Sequence, residues 1–312
     1  MVRKVLGVLV LGVVVAATIL RAQTPPTLVG TWSLAAVERA NADGTWTAQP
    51  LPRGVLIFDA AGHAFELAET GRRVPYAGNQ PTSAEAHAVY NNYSGFWGSY
   101  KVDAAQNKVT YRPEGAISPN AMGQDVVRTF SRADDRLVVT ATAGEPDGLS
   151  GTRWTWERVP ALETLSAANR TLLGFWRHVI EKRINLTTGS VQSETERAPS
   201  VIVYSASGFV GVHFPPMNRA RFAAAQPTDD EARAAIAGFV SYYGAYTLSP
   251  GVVFHHRLII LGTAPADTLK RFYDITGDQL TLKFPPARNP QGQEIRTEVT
   301  LKRISGADAM IP

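Results

Sequence analysis

The stretch Leu28-Val29-Gly30-Thr31-Trp32 occurs a second time as Leu172-Leu173-Gly174-Phe175-Trp176. Each copy opens an alternating run, Ser33 to Glu38 and Arg177 to Glu181, that reads as a strand. A Gly-x-Trp at the head of a first strand suits a small barrel. The glycine lets the chain approach the barrel floor closely, and the indole plugs the open end. The segments downstream of each copy come in the same order, so the repeat extends to the whole half.

A hairpin comes next in both halves. Val55-Leu56-Ile57-Phe58 turns through Asp59 to Gly62 into His63 to Leu67, and Val201-Ile202-Val203-Tyr204 turns through Ser205 to Gly208 into Phe209 to Phe214. Each turn ends on a glycine where a left-handed residue is needed. Thr82 with Glu85, and Thr228 with Glu231, have the spacing of a capping box and predict one short helix per half. Each helix runs into an aromatic cluster, Tyr93 to Tyr100 and Phe239 to Tyr246. The remaining strands keep step: Val109 to Ile117 with Val253 to Leu261, Val126 to Phe130 with Thr268 to Phe272, and last strands ending at Arg158 and Arg303. The chain therefore divides into residues 23–159 and 171–304, with a linker at 160–170 and a tail at 305–312. Many short alternating strands with one helix per half give an all-β class. An antiparallel closed barrel and a sandwich share that profile.

Hydrophobic residues make up 45% of the 312, enough for a core in each half. Residues 1–22 read as an export signal: Arg3 and Lys4, the uncharged run Val5 to Leu20, then Arg21-Ala22 before Gln23, with cleavage expected after Ala22. Their removal takes the formal charge from +4 to +1, because Arg3, Lys4 and Arg21 leave with them. No basic cluster sits among aromatics, so nucleic acid is set aside. No later segment is long enough to span a membrane. The chain has no cysteine, which excludes disulfides, lipid-modified cysteine and thiolate metal sites.

Both halves resemble the lipocalin-like domain found in many bacterial and fungal proteins. The match rests on Gly30-Thr31-Trp32, the Gly54-to-Gly62 hairpin, Trp97-Gly98-Ser99-Tyr100, Pro119-Asn120 with Gly123, and Arg128-Thr129-Phe130. In the second half it rests on Gly174-Phe175-Trp176, Tyr243-Gly244-Ala245-Tyr246, His255-His256 and Lys270-Arg271-Phe272. The resemblance implies two tandem antiparallel up-and-down barrels, each around a small-molecule cavity. It also implies that the opening indole stacks on an arginine of the last strand, Trp32 on Arg158 and Trp176 on Arg303. The halves depart from the pattern differently. Thr110-Tyr111-Arg112 stands where the family tends to show adjacent histidines, and the second half has Leu261 to Pro265 in place of the Pro-Asn…Gly segment. The two cavities are expected to differ.

Strand alternation assigns candidate cavity residues. In Val253 to Leu261 the face of Phe254, His256, Leu258 and Ile260 is the more apolar, which points His256 inward and His255 outward. Arg112 occupies the same slot in the first half, on a face with Glu114. Either group can instead be structural, His256 as a hydrogen-bonded core histidine and Arg112 with Glu114 as an internal ion pair. Arg128 and Lys270 match in position, and a barrel-lining cation would suit a carboxylate or enolate; an outward, snorkelling side chain is the alternative. Tyr93, Trp97 and Tyr100, with Tyr242, Tyr243 and Tyr246, are ring-bearing candidates for the cavity wall, although many of them can simply pack the helix on the barrel. His213, His255 and His256 do not make a metal site, because neighbouring strand residues face opposite ways. No nucleophile–base motif or phosphate loop is present. No metal and no cofactor are expected. The expected partner is a small hydrophobic molecule, bound or carried. An isomerase, cyclase or hydratase using a cavity histidine or tyrosine, and a structural module with packed barrels, are the alternatives.

Overall fold

The computed structural model describes residues 27–71, 76–78, 80–196, 199–261 and 267–305. The expected export signal and nearly all of the expected tail lie outside them. In the first half the elements are β1 (Gly30–Ala40), β2 (Trp46–Ala48), β3 (Arg53–Phe58), β4 (His63–Glu69), α1 (Ser83–Asn92), β5 (Tyr93–Asp103), β6 (Lys108–Ala116), β7 (Val126–Ala133), β8 (Arg136–Ala141) and β9 (Thr152–Val159). Helix α2 (Ala167–Leu172) leads into the second half. There the elements are β10 (Gly174–Asn185), β11 (Val191–Glu196), β12 (Val201–Tyr204), β13 (Phe209–Phe214), α3 (Asp229–Ile236), β14 (Val240–Ser249), β15 (Val252–Ile260), β16 (Thr268–Thr276), β17 (Gln279–Lys283), β18 (Ala287–Arg288) and β19 (Glu294–Arg303).

Each half is a closed antiparallel barrel. Strands β1 and β3 to β9 form a ring that closes through β1 against β9; β10, β12 to β17 and β19 form the other, closed through β10 against β19. Closure leaves no unpaired edge within either ring. The short strands β2, β11 and β18 pair outside the rings, on the far ends of β1, β10 and β19. Both predicted helices form, each with a complete capping box at Thr82 and at Thr228.

The repeated Gly-x-Trp works as the sequence suggests. Trp32 and Trp176 are fully buried, and their indole N–H groups donate to Leu28 O (2.9 Å) and Leu172 O (2.7 Å). The Arg158 guanidinium lies 4.4 Å from the Trp32 ring, and that of Arg303 lies 4.0 Å from the Trp176 ring. The register makes each pair direct cross-strand neighbours, Trp32 opposite Arg158 and Trp176 opposite Arg303. Gly30 has φ +137°, and a Cβ there would meet the Arg158 guanidinium at 2.5 Å. The glycine is thus needed for its conformation, and a side chain there would also displace the end of the arginine.

The barrels are packed against each other through a shared apolar core. Val55, Ile57, Phe65, Leu67 and Trp97 of the first cluster with Val201, Val203, Phe239, Tyr243 and Ile259 of the second. Equivalent elements meet. Phe65 of β4 rests on Gly211 of β13, the corresponding position, where a Cβ would lie 2.5 Å from the ring. Helix α1 lies along α3, joined by His87 to Asp229 (2.6 Å) and Ser83 to Asp230 (2.8 Å). This is the geometry of an isologous dimer made within one chain. It also explains why β3, β4 and β12 are buried on both faces rather than alternating.

Candidate ligand cavity

The first barrel holds a cavity of about 430 Å³. Its apolar wall includes Phe96, Ala116, Ile117, Ala121 and Val126, and its polar wall includes Glu66, Tyr111, Arg128 and Asp147. Asn91 of α1 and Gln226 of the second half stand exposed at the rim.

Arg128 is the centre of the polar wall. It points inward from β7 with 1% exposure, and three carboxylates surround it: Asp147 (2.6 Å), Glu66 (3.2 Å) and Glu145 (3.3 Å). Its guanidinium lies 4.5 Å from the Trp154 ring and 5.5 Å from the Tyr111 ring. The β8–β9 loop brings in two of the acids. Asp147 accepts from Leu149 N and Glu145 from Thr142 N, while Gln226 donates to Gly148 O across the barrel boundary. Burial works against the Arg128 charge, but the three acids more than offset it and its pKa is raised. Burial raises Glu66, against the pull of Arg128, and pushes Glu145 up to about 7. Glu66 and Glu145 therefore take up a proton more readily than free carboxyls do.

The second half completes the rim. Arg219 donates to Ile117 O (2.9 Å) and to Ala116 O, Asn120 accepts from Phe222 N (2.7 Å), and Phe222 sits edge-on to Tyr90 at 5.5 Å. In the second barrel the polar centre closes on itself. His255 is buried, with Tyr204 at 2.9 Å from one ring nitrogen and Tyr242 at 2.8 Å from the other. Burial takes the His255 pKa down to about 3, with Arg271 adding to the shift, so the ring is neutral.

Several expected cavity residues lie elsewhere. His256 faces outward and meets Thr247 (2.8 Å) and Thr268 (3.0 Å), while His255 takes the interior. The cause is a register shift between β14 and β15: Leu258 is skipped, and inward parity changes between Val253 and Ile260. The same irregularity skips Glu114 in β6. Arg112 consequently points to solvent beside Asp125 (3.2 Å), and Glu114 pairs with Arg177 of the second barrel (2.6 Å). Lys270 faces outward over Phe272, and the register puts Arg271, opposite Val253, in the slot that Arg128 fills opposite Val109. Trp97 and Tyr243 belong to the shared core between barrels, with the Trp97 N–H donating to Pro199 O at 3.0 Å. Tyr93 borders the cavity from the shared core between the barrels, its hydroxyl bound to Glu69 (2.9 Å) and Ile260 O (2.5 Å). Tyr100, Tyr242 and Tyr246 point into their barrels. Sequence reasoning missed Glu66, Tyr111, Glu145 and Asp147. Of these, Glu66 carried a signal, as a single acid inside the apolar run Ala64 to Ala68. Glu145 and Asp147 sit in a loop, where strand periodicity says nothing.

The family model of the lipocalin-like domain matches residues 29–159. That stretch is a lipocalin-like domain. Its matched range begins just before Gly30 and ends on the last residue of β9, so it spans the whole first ring. The second ring repeats the lipocalin-like topology strand for strand, giving two tandem barrels. The chain has no match among curated proteins.

Proposed function

We propose that the protein binds one small, mostly apolar molecule in the first barrel, and that it does so after export. The observation that carries the binding reading is the 430 Å³ cavity of the lipocalin-like domain, walled by apolar side chains and one compact polar group. That volume lies within the usual range for small-molecule sites. The second barrel, whose central histidine is already bound on both nitrogens, serves as the platform that buttresses the rim. Export rests on the charged start and apolar run of residues 1–22.

Two measurements test this. Thermal-shift titration of the intact chain against terpenoids, aromatic ketones and fatty acids should find stabilising ligands. Ala116→Phe, which places a ring in the first cavity, should abolish the response; an undiminished response would place the site elsewhere. The intact mass of the protein from its own host should show the loss of residues 1–22, and retention of those residues would refute a cleaved signal.

A further inference from the structure

The two barrels are internal controls for each other. At three equivalent interior positions the second has Tyr204, His255 and Tyr242, and the first has Phe58, Tyr111 and Phe96. The equivalence is fixed by register: Phe58 and Tyr204 lie opposite Gly30 and Gly174, and Phe96 and Tyr242 lie opposite Ala116 and Ile260. In the second barrel two tyrosine hydroxyls satisfy the central histidine. In the first, both are replaced by phenylalanine. Tyr111 is left between two bare rings, stacked on Phe58 at 6.1 Å and edge-on to Phe96 at 4.8 Å. Its hydroxyl is fully buried and has no hydrogen-bond partner among the described residues, yet Tyr111 lines the cavity. A buried hydroxyl without a partner is costly, and a ligand oxygen removes that cost.

The charges nearby narrow the class. Arg128 is held by three carboxylates, so a ligand carboxylate would bring a fourth into the same wall. This reverses the expectation that a lining arginine would select an acid.

We propose that Tyr111 is the polar anchor of the first barrel and that it selects neutral molecules bearing a carbonyl or hydroxyl oxygen on an apolar ring body, against carboxylates. The proposal rests on the first barrel being a small-molecule site. Burial raises the Tyr111 pKa, so the phenol keeps its proton and donates it to the ligand oxygen.

Three probes of matched shape test it on the intact chain: 2-acetylnaphthalene, 2-ethylnaphthalene and 2-naphthoate, with dissociation constants from ligand-observed NMR titration. The ketone should bind about fivefold tighter than the hydrocarbon, the typical worth of one hydrogen bond, and the carboxylate should bind weakest. Tyr111→Phe should remove the ketone preference and leave the hydrocarbon's affinity unchanged. Phe96→Tyr, which restores the hydroxyl found in the second barrel, should also reduce the preference by giving Tyr111 an internal partner. Equal binding of ketone and hydrocarbon to the native protein, a preference that survives Tyr111→Phe, or tightest binding of the naphthoate would each overturn the anchor while leaving the cavity as a binding site. Failure of all three probes to bind would overturn the cavity reading itself.

Discussion

Arg128→Met should make the protein unstable at alkaline pH and rescue it in acid. The guanidinium is 1% exposed and faces Glu66, Glu145 and Asp147, whose side chains are 2%, 3% and 10% exposed. Removing one partner of such a buried network costs about 3–5 kcal/mol, because the remaining charges are uncompensated. Without the cation the acids must take up protons. A carboxylate whose folded pKa lies above its unfolded value contributes stability that is fully present below the unfolded value and is lost as pH rises through the folded one. Holding one acid protonated at pH 8, against an unfolded value near 4.3, costs about 5 kcal/mol, and at pH 5 about 1 kcal/mol. Glu145 already sits at about 7 in the native protein, so relative to it the loss from that acid should be larger at pH 8 than at pH 5 by about 1 kcal/mol. Urea denaturation followed by tryptophan fluorescence at the two pH values measures it. Adding Glu66→Gln and Glu145→Gln to Arg128→Met should restore much of the stability at pH 8. An equal loss at both pH values, or a larger loss at pH 5, would refute the buried network.

His255 predicts a dependence of opposite sign. Its folded pKa is about 3, so below pH 6.5 the unfolded chain binds a proton that the native ring refuses. Stability should fall by about 1.4 kcal/mol per pH unit between pH 6 and 4 on its account, and His255→Gln should show a shallower slope; an unchanged slope would contradict the buried neutral ring. Gly211→Ala pushes a methyl group into the Phe65 ring and should cost about 1–3 kcal/mol by urea denaturation, with Phe65→Ala in the same chain relieving part of it. The first barrel expressed alone, residues 23–159, should self-associate in sedimentation, because Val55, Ile57, Phe65, Leu67 and Trp97 lose their cover. A monodisperse monomer with unchanged stability would argue against a shared apolar core.

The fold was legible because its devices are local and occur twice. Gly-x-Trp, the closing arginine, the capping boxes and the hairpin glycines each state their geometry within a few residues. The site was harder to read for three physical reasons. A register irregularity in β6 and in β15 inverts inside and outside beyond Pro113 and Arg257, so alternation carried across it places Arg112 and His256 on the wrong face. The aromatic clusters had two apolar destinations, the barrel interior and the neighbouring barrel, and Trp97 and Tyr243 took the second. Two of the three acids around Arg128 come from the β8–β9 loop, whose Gly148 carbonyl accepts from Gln226 of the second half. Legible once the halves are aligned by register is the replacement of two tyrosines by Phe58 and Phe96, which leaves Tyr111 without the hydroxyl partners that His255 has at the equivalent position.

Native mass spectrometry of the protein purified from its own host, with organic extraction and identification of what is released, bears on the ligand-binding reading without any choice of probe. The expected result is one bound molecule per chain, neutral, with an apolar body and a carbonyl or hydroxyl oxygen, and its loss in Ala116→Phe. Two equal occupants per chain, or a carboxylate retained undiminished in that variant, would contradict it.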